Sequence, residues 1–403
     1  MFGTTLGSTV GNALGVPVGV NKPLPAIQNQ NTPERYTKDV PRAHNYVADY
    51  GGCGYWRLMW PSMLLSSRQE VYIHDTSTMV MQDDFYRDIK CVRIQRQVAP
   101  HQLKFFNYLA GLRDKLGFRV CYEIDDVFIY DDIPVYNKFR EAYKDPGIRD
   151  TGIRIMSECD EVTVTCQYMK EYYKQYTENV TIIPNYPPKF WMDRYYDDNL
   201  ISKNYDRSVK KRKKPRILYA ASGAHFDVDG RAGYNDDFVH VRDVVRKTVN
   251  KFQWVFVGAF PMQLKDLVRS GKIEFHRWVP LPDYPSFLHS LKANIIIAPL
   301  IDNTFNRCKS NIKHVEANCL GLPSVCQDLV TYKDAEYKFT TGDDLIDNID
   351  NILKDKDTYM KASRRANTKA QSHWLEDHLD VYKELYTLGF EDNNRKQLND
   401  LQV

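Results

Sequence analysis

From residue 45 to residue 190, short apolar runs rich in β-formers alternate with longer stretches of helical period. The runs are NYVADY, EVYIHDT, CVRIQRQV, FRVCYEID, EVTVTC and VTIIPN, and HQLKFFNYLAGLRDKLG is a helical stretch between two of them. Strands alternating with helices predict a mostly parallel sheet joined by right-handed crossovers. The alternation breaks in WMDRYYDDNLISKNYDRSVKKRKKPR and restarts with RILYAAS, FQWVFVGAF, KIEFHRWV, NIIIAPL and PSVCQD. The pattern therefore predicts an α/β protein with two doubly wound domains. Its expected parts are an N-terminal extension (1–40), a first domain (41–190), a basic linker (191–215), a second domain (216–365) and C-terminal helices with a tail (366–403). The last helix is expected to pack back across the lobes.

A length of 403 residues suits two such domains. With 43% hydrophobic and 27% charged residues the chain has an ordinary globular balance, and a formal net charge of +3 is too small to imply a partner. The first 40 residues are rich in Gly, Pro, Thr and Asn without either period, as in an extended arm. Eight scattered cysteines form no CxxC pair or zinc-like spacing, which points to reduced core thiols. The N-terminus lacks a basic, uninterrupted apolar leader, and no run reaches membrane-spanning length. A soluble, cytoplasmic protein is expected.

Four stretches carry candidate chemistry. In DYGGCGYWRLMW, Gly52 and Gly54 lie between a strand and a helix, where glycines let backbone amides approach a ligand; a tight turn explains them as well. Arg57 then faces either an anion or solvent. In CYEIDDVF, Glu123, Asp125 and Asp126 emerge at a strand's carboxyl end. There a paired acid can orient a hydroxyl, act as a base or hold a divalent ion; the alternative is a solvated turn with a capping Asp. In YAASGAHFDVDGRAGYNDDF, Ser222, His225 and Arg231 are placed to meet a phosphate or an acceptor, although a lone His is more often structural.

The fourth stretch, PLIDNTFNRCKSNIKHVEANCLGLP, follows a strand buried on both faces and so sits where open α/β sheets bind ligands. A helix starting near Ser310 puts Lys313 and Glu316 on one face, with Ile312, Val315 and Cys319 as the buried stripe. Gly321 and Pro323 end it. Arg307, Lys309, Ser310, Asn311 and Lys313 then cluster at a helix N-terminus, which is a site for phosphate. The alternative is an exposed Lys/Glu pair.

The stretch from RWVPLPDYPSFLHSLKANIIIAPL through FNRCKSNIKHVEANCLGLPSV resembles the retaining, family-four-like glycosyltransferases of the GT-B fold, and the likeness extends over most of residues 45–390. It implies two Rossmann-like domains facing a central cleft and a nucleotide-diphosphate sugar as co-substrate, with no obligatory metal. The activity implied is a hexosyl- or pentosyltransferase. Glu316 matches the family's ribose-holding glutamate, whereas Cys308 stands where the family has an earlier glutamate and Ser310 where it has a glycine. Lys309 and Lys313 would neutralise the diphosphate. GGCGYWR resembles the Gly-rich loop of the first lobe, and Asp125 stands where many relatives carry a catalytic-site His.

KKRKKPR, with Lys203 and Arg207 nearby, places a positive run (203–216) that suits a phosphate-rich acceptor; a solvated linker is the alternative. The departures from the motif also resemble phage-encoded glycosyltransferases that modify hydroxymethylated bases in DNA, which would act in the host cytoplasm. Three functions stay open: a sugar transferase acting on DNA, one acting on saccharide, lipid or protein, and a non-catalytic nucleotide-sugar-binding protein.

Overall fold

A computed structural model describes residues 40–210 and 213–388. The N-terminal extension before residue 40 and the tail after residue 388 lie outside the described residues. The described residues divide into two compact units: 40–128, 143–184 and 378–388 form the first, and 129–142 with 185–210 and 213–377 form the second.

The first unit is built on a six-stranded parallel sheet of β1 (Arg42–Tyr46), β2 (Tyr72–Thr76), β3 (Ile89–Gln95), β4 (Arg119–Glu123), β5 (Glu161–Val164) and β6 (Val180–Ile182). Its order is β2-β1-β3-β4-β5-β6, so the winding reverses between β1 and β3. Every residue of β4 is buried, as expected of a central strand covered on both faces. Helix α1 (Trp60–Ser67) follows a π-helical turn at Tyr55–Met59. Helix α2 (Pro100–Leu116) opens with proline in its first turn and with the Gln102 side chain accepting from the Ala99 amide (2.8 Å); it closes at Gly117, whose φ of 74° suits glycine. Helices α3 (Pro146–Glu158) and α4 (Gln167–Tyr173) complete the crossovers.

The second unit repeats the scheme with β7 (Arg216–Ala221), β8 (Gln253–Gly258), β9 (Glu274–His276), β10 (Ile295–Ala298), β11 (Ser324–Gln327) and β12 (Tyr337–Phe339). The order β12-β11-β10-β7-β8-β9 places the reversal between β7 and β10. Within the unit this is the third-second-first-fourth-fifth-sixth order of dinucleotide-binding sheets, whose ligands lie beyond the carboxyl ends at the reversal. Its helices include α5 (Asp198–Tyr205), α6 (Arg242–Thr248), α7 (Tyr284–Ser290), α8 (Thr304–Arg307), α9 (Ile312–Cys319), α10 (Gly342–Leu353) and α11 (Lys356–Gln371). Strand β12 was not predicted, because three half-polar residues between acidic stretches give no apolar run.

Much of 191–215, read from sequence as an irregular linker, is helical and lies within the second unit. Helix α5 buries Ile201 and Tyr205, four residues apart; the Tyr205 hydroxyl donates to the Leu353 carbonyl (3.0 Å) and its ring stacks on Tyr359. Residues 129–142, which the alternation places with the first domain, also cluster with the second unit. Helix α12 (Leu379–Thr387) returns to the first, where Tyr386 bonds Arg93 and Asn45.

Candidate functional site

Beyond the carboxyl end of β7 the chain turns at Ser222, whose hydroxyl accepts from the Ala224 amide (3.3 Å), and delivers His225 to a buried position. Its Nδ1 lies 2.6 Å from Asp237 Oδ2. Asp237 is fully enclosed and also accepts from the Tyr136 hydroxyl (2.8 Å), the Asn306 side-chain amide (2.6 Å) and the Ile301 backbone amide (3.1 Å). Burial opposes its charge, yet these donors hold its carboxyl below the usual carboxylate range. An ionised Asp237 fixes the proton on His225 Nδ1 and leaves the Nε2 lone pair pointing outward.

That lone pair meets Lys313, whose Nζ is 3.4 Å from His225 Nε2. Burial, then the nearby Lys313 charge, push the His225 pKa down to about 4, so the ring is neutral at pH 7. Burial and the neighbouring Lys309 ammonium bring Lys313 down to about 8. Lys309 itself lies over the Phe305 ring, 4.2 Å from the centroid. Two cations are thus held together in partly desolvated surroundings, an arrangement that a bound anion would relieve.

Helix α9 begins at Ile312 rather than Ser310, with Asn311 as its flanking residue and the Ser310 hydroxyl accepting from the Asn185 side chain (3.0 Å). The helix is more enclosed than a single stripe: every residue from His314 to Cys319 is buried, while Ile312 is only half-buried. Glu316, one turn beyond Lys313, is buried, which raises its pKa to about 7 even though Lys313 opposes the rise. It accepts from the Tyr284 hydroxyl (3.3 Å). The Tyr284 ring stacks with both Trp191 and Trp278, whose centroids are 6.3 and 5.2 Å away. Trp278 is 42% exposed. It packs against the end of β8, where a Cβ on Gly258 (φ 87°) would meet the indole and the Ala221 carbonyl oxygen, each at 2.6 Å. The lone Trp in HRWVPLP was its only sequence signal; Asp237 and Tyr136 had none beyond lying in polar loops.

The other candidates make contacts of their own. Arg307 pairs with Asp302 (2.5 Å) and Arg231 with Asp229 (2.5 Å), both at exposed positions. In the first unit, Asp49 Oδ1 accepts from the Gly51 amide (2.7 Å) and, more weakly, from that of Gly54 (3.4 Å). The turn's own carboxylate thus reaches one of the two glycine amides offered to a ligand, that of Gly54. A Cβ on Gly54 would strike the Asp49 carbonyl oxygen at 1.9 Å, whereas one on Gly52 meets nothing. Arg57 faces neither ligand nor solvent: its Nε donates to Glu123 (2.6 Å), and Arg93 donates to the other carboxylate oxygen (2.8 Å), all three side chains being buried.

Asp125 lies 3.5 Å from Arg96, which also reaches Cys53 Sγ (3.2 Å). Burial pushes the Cys53 thiol well up, so it is not a thiolate. Asp126 accepts from the Val127 amide (3.0 Å), as a turn-forming Asp does. None of the eight cysteines is in a disulfide. Among the described residues no group of three or more His, Cys, Asp or Glu is placed to hold a metal, and no helix is long and apolar enough to cross a membrane.

No protein-family profile and no curated protein matches the chain. Among solved structures it is similar to that of Phytolacca americana UGT2 complexed with UDP-2fluoro-glucose and pterostilbene, at 11% identity and a TM-score of 0.42, over 83% of this chain and 94% of that one. It is similar at 11% identity and a TM-score of 0.38 to the wall teichoic acid polymerase TagF, H548A, over 90% of this chain and 91% of that one. Likenesses this distant carry no weight for the chemistry.

Proposed function

We propose that this chain is a GT-B glycosyltransferase that moves a sugar from a nucleotide-diphosphate sugar to an acceptor hydroxyl with retention. The observation that carries the reading is Lys313, held against neutral His225 and one helical turn from Glu316, at the winding reversal of the second sheet. Cleavage of the sugar–phosphate bond builds oxocarbenium character on the sugar and negative charge on the departing diphosphate. Lys313 and Lys309 stabilise that charge in partly desolvated surroundings, where one such group is worth about 3 kcal/mol of barrier. His225, oriented by Asp237, accepts a hydrogen bond from Lys313 and so positions the ammonium. Glu316 holds the ribose hydroxyls, and the exposed Trp278 offers the nucleobase a stacking face.

Cys308 is fully buried and supplies no carboxylate, so the donor sugar's hydroxyls are held by other groups. Asp125 is assigned to the acceptor. A hydroxymethylated base in DNA is the acceptor suggested by the basic run, but the described part of that run leads into the N-terminal end of β7, and Ser222 and His225 lie past the other end. Six residues of strand separate them by roughly 20 Å. Lys211, Arg212 and the Lys210 side chain lie outside the described residues. A hydroxyl on a saccharide, lipid or protein is therefore an equal acceptor class in this proposal.

The test is mass spectrometry of products from the purified protein with a panel of nucleotide sugars and three acceptors: plain DNA, DNA with hydroxymethylated bases, and simple sugars. A sugar-sized mass gain on any acceptor, or donor hydrolysis, supports the transferase. Donor binding without turnover would replace it with a non-catalytic nucleotide-sugar-binding protein.

A further inference from the structure

Each unit has a hollow at the N-terminal ends of its strands, the edge opposite the winding reversal. In the first unit it measures about 440 Å³ and mixes Arg119 and Lys170 with Asp160, Glu161 and Glu178. That of the second unit, about 540 Å³, differs in charge: Arg207, Lys213, Lys214, Arg216 and Lys292 line it, and no carboxylate does among the described lining residues. Two of these cations are anchored. Arg216 donates to the Leu291 carbonyl (2.6 Å) and pairs with Glu274 (2.7 Å), and Lys214 donates to the Val249 carbonyl (2.6 Å). Arg207, Lys213 and Lys292 are exposed.

Behind this wall lies Asn294, fully buried, whose Oδ1 accepts from the Ser208 hydroxyl and the Arg216 amide (both 2.9 Å). Its Nδ2 has no partner among the described residues. Through Oδ1, Asn294 thus braces, from within the core, two residues that line the hollow.

We propose that this cavity binds a small, multiply charged phosphate ligand, such as a polyphosphate or a free nucleotide, at a site separate from the donor crevice. Lysine and arginine at such density, with a single carboxylate engaged at the edge, are complementary to several phosphate groups at once. The volume falls within the usual range for small-molecule sites, and a concave hollow suits a compact anion better than an extended backbone. A ligand here lies at the opposite end of β7 from Lys313 and touches no reacting group, so its role is modulatory. The proposal does not depend on the glycosyltransferase reading.

The test is calorimetric titration of tripolyphosphate into the wild-type chain, the double variant Arg207→Ala/Lys292→Ala and Lys313→Ala, with a 12-nucleotide single-stranded DNA titrated in parallel. Both residues of the double variant are exposed, so folding should survive the change. Loss of tripolyphosphate affinity by about tenfold or more in the double variant is expected for the component of binding that persists in Lys313→Ala. Equal affinity of the double variant and the wild type, or loss confined to Lys313→Ala, would overturn the site. Binding of the oligonucleotide but not of tripolyphosphate would overturn the compact-ligand assignment. None of these readouts uses sugar transfer, so failure here and failure of the transferase reading are distinguishable.

Discussion

The two winding reversals make an instructive pair. Both lie at the carboxyl ends of six-stranded parallel sheets, and both gather charged residues there. In the first unit the charges satisfy one another: Glu123 is clamped by Arg57 and Arg93, Arg96 faces Asp125, and Asp49 covers the glycine amides. In the second, Lys313 and Lys309 share one neighbourhood, and the carboxylate on the same helix, Glu316, is pushed towards its neutral form. Charges that complete each other hold a fold; charges brought together against their preference point to a ligand that will complete them.

The sharpest way to break the comparison is to remove the carboxylate at the centre of the first unit's network. Glu123→Ala leaves two buried guanidinium groups uncompensated and should cost about 3–5 kcal/mol of unfolding free energy, measured by denaturant titration. A cost below ~1 kcal/mol would mean the network is not structural. Lys313→Ala should behave in the opposite manner, with near-wild-type stability and transfer slowed by about two to three orders of magnitude, roughly 3–4 kcal/mol of barrier. Equal transfer rates would remove Lys313 from the chemistry.

A smaller effect comes from pH. His225 titrates near 4 in the folded chain against an ordinary 6.5, so the unfolded state takes up the proton first as pH falls, and stability drops between pH 6.5 and 4. Between pH 6.5 and 5 this one residue accounts for about 1.5 kcal/mol, and His225→Asn should reduce the acid-induced loss by that amount. Glu316 runs the other way. Its raised pKa costs stability as pH rises from 4.5 towards 7, and Glu316→Gln should abolish that component. Stability curves across this range that overlay for wild type and variants would contradict the burial of both groups. The smallest effect is expected at the exposed Arg307–Asp302 pair, where Arg307→Ala should change stability by less than ~1 kcal/mol and leave donor affinity intact.

The sheets were largely legible because a strand buried on both faces leaves a continuous apolar run; NIIIAPL became β10 for that reason. Strand β12 left no such run, and the charged helix α5 hid its Ile201 and Tyr205 stripe in a polar segment. At the site, Lys313 and Glu316 were legible together because helical spacing is local. Asp237 and Tyr136 were not: Tyr136 is 101 residues from Asp237, and only the fold joins them. Glu123 and Arg57 were misplaced towards a ligand for the same reason, since sequence cannot show that 66 residues apart two opposite charges face each other in a core.

The central claim is that the second unit, and not the first, receives the nucleotide diphosphate. The direct measurement is calorimetric affinity for a nucleotide-diphosphate sugar in wild type, Glu316→Gln and Asp125→Asn. The account predicts a loss of about tenfold or more in Glu316→Gln, from one or more charge-assisted hydrogen bonds to the ribose, and an unchanged affinity in Asp125→Asn. Unchanged binding in Glu316→Gln with a loss in Asp125→Asn would contradict it.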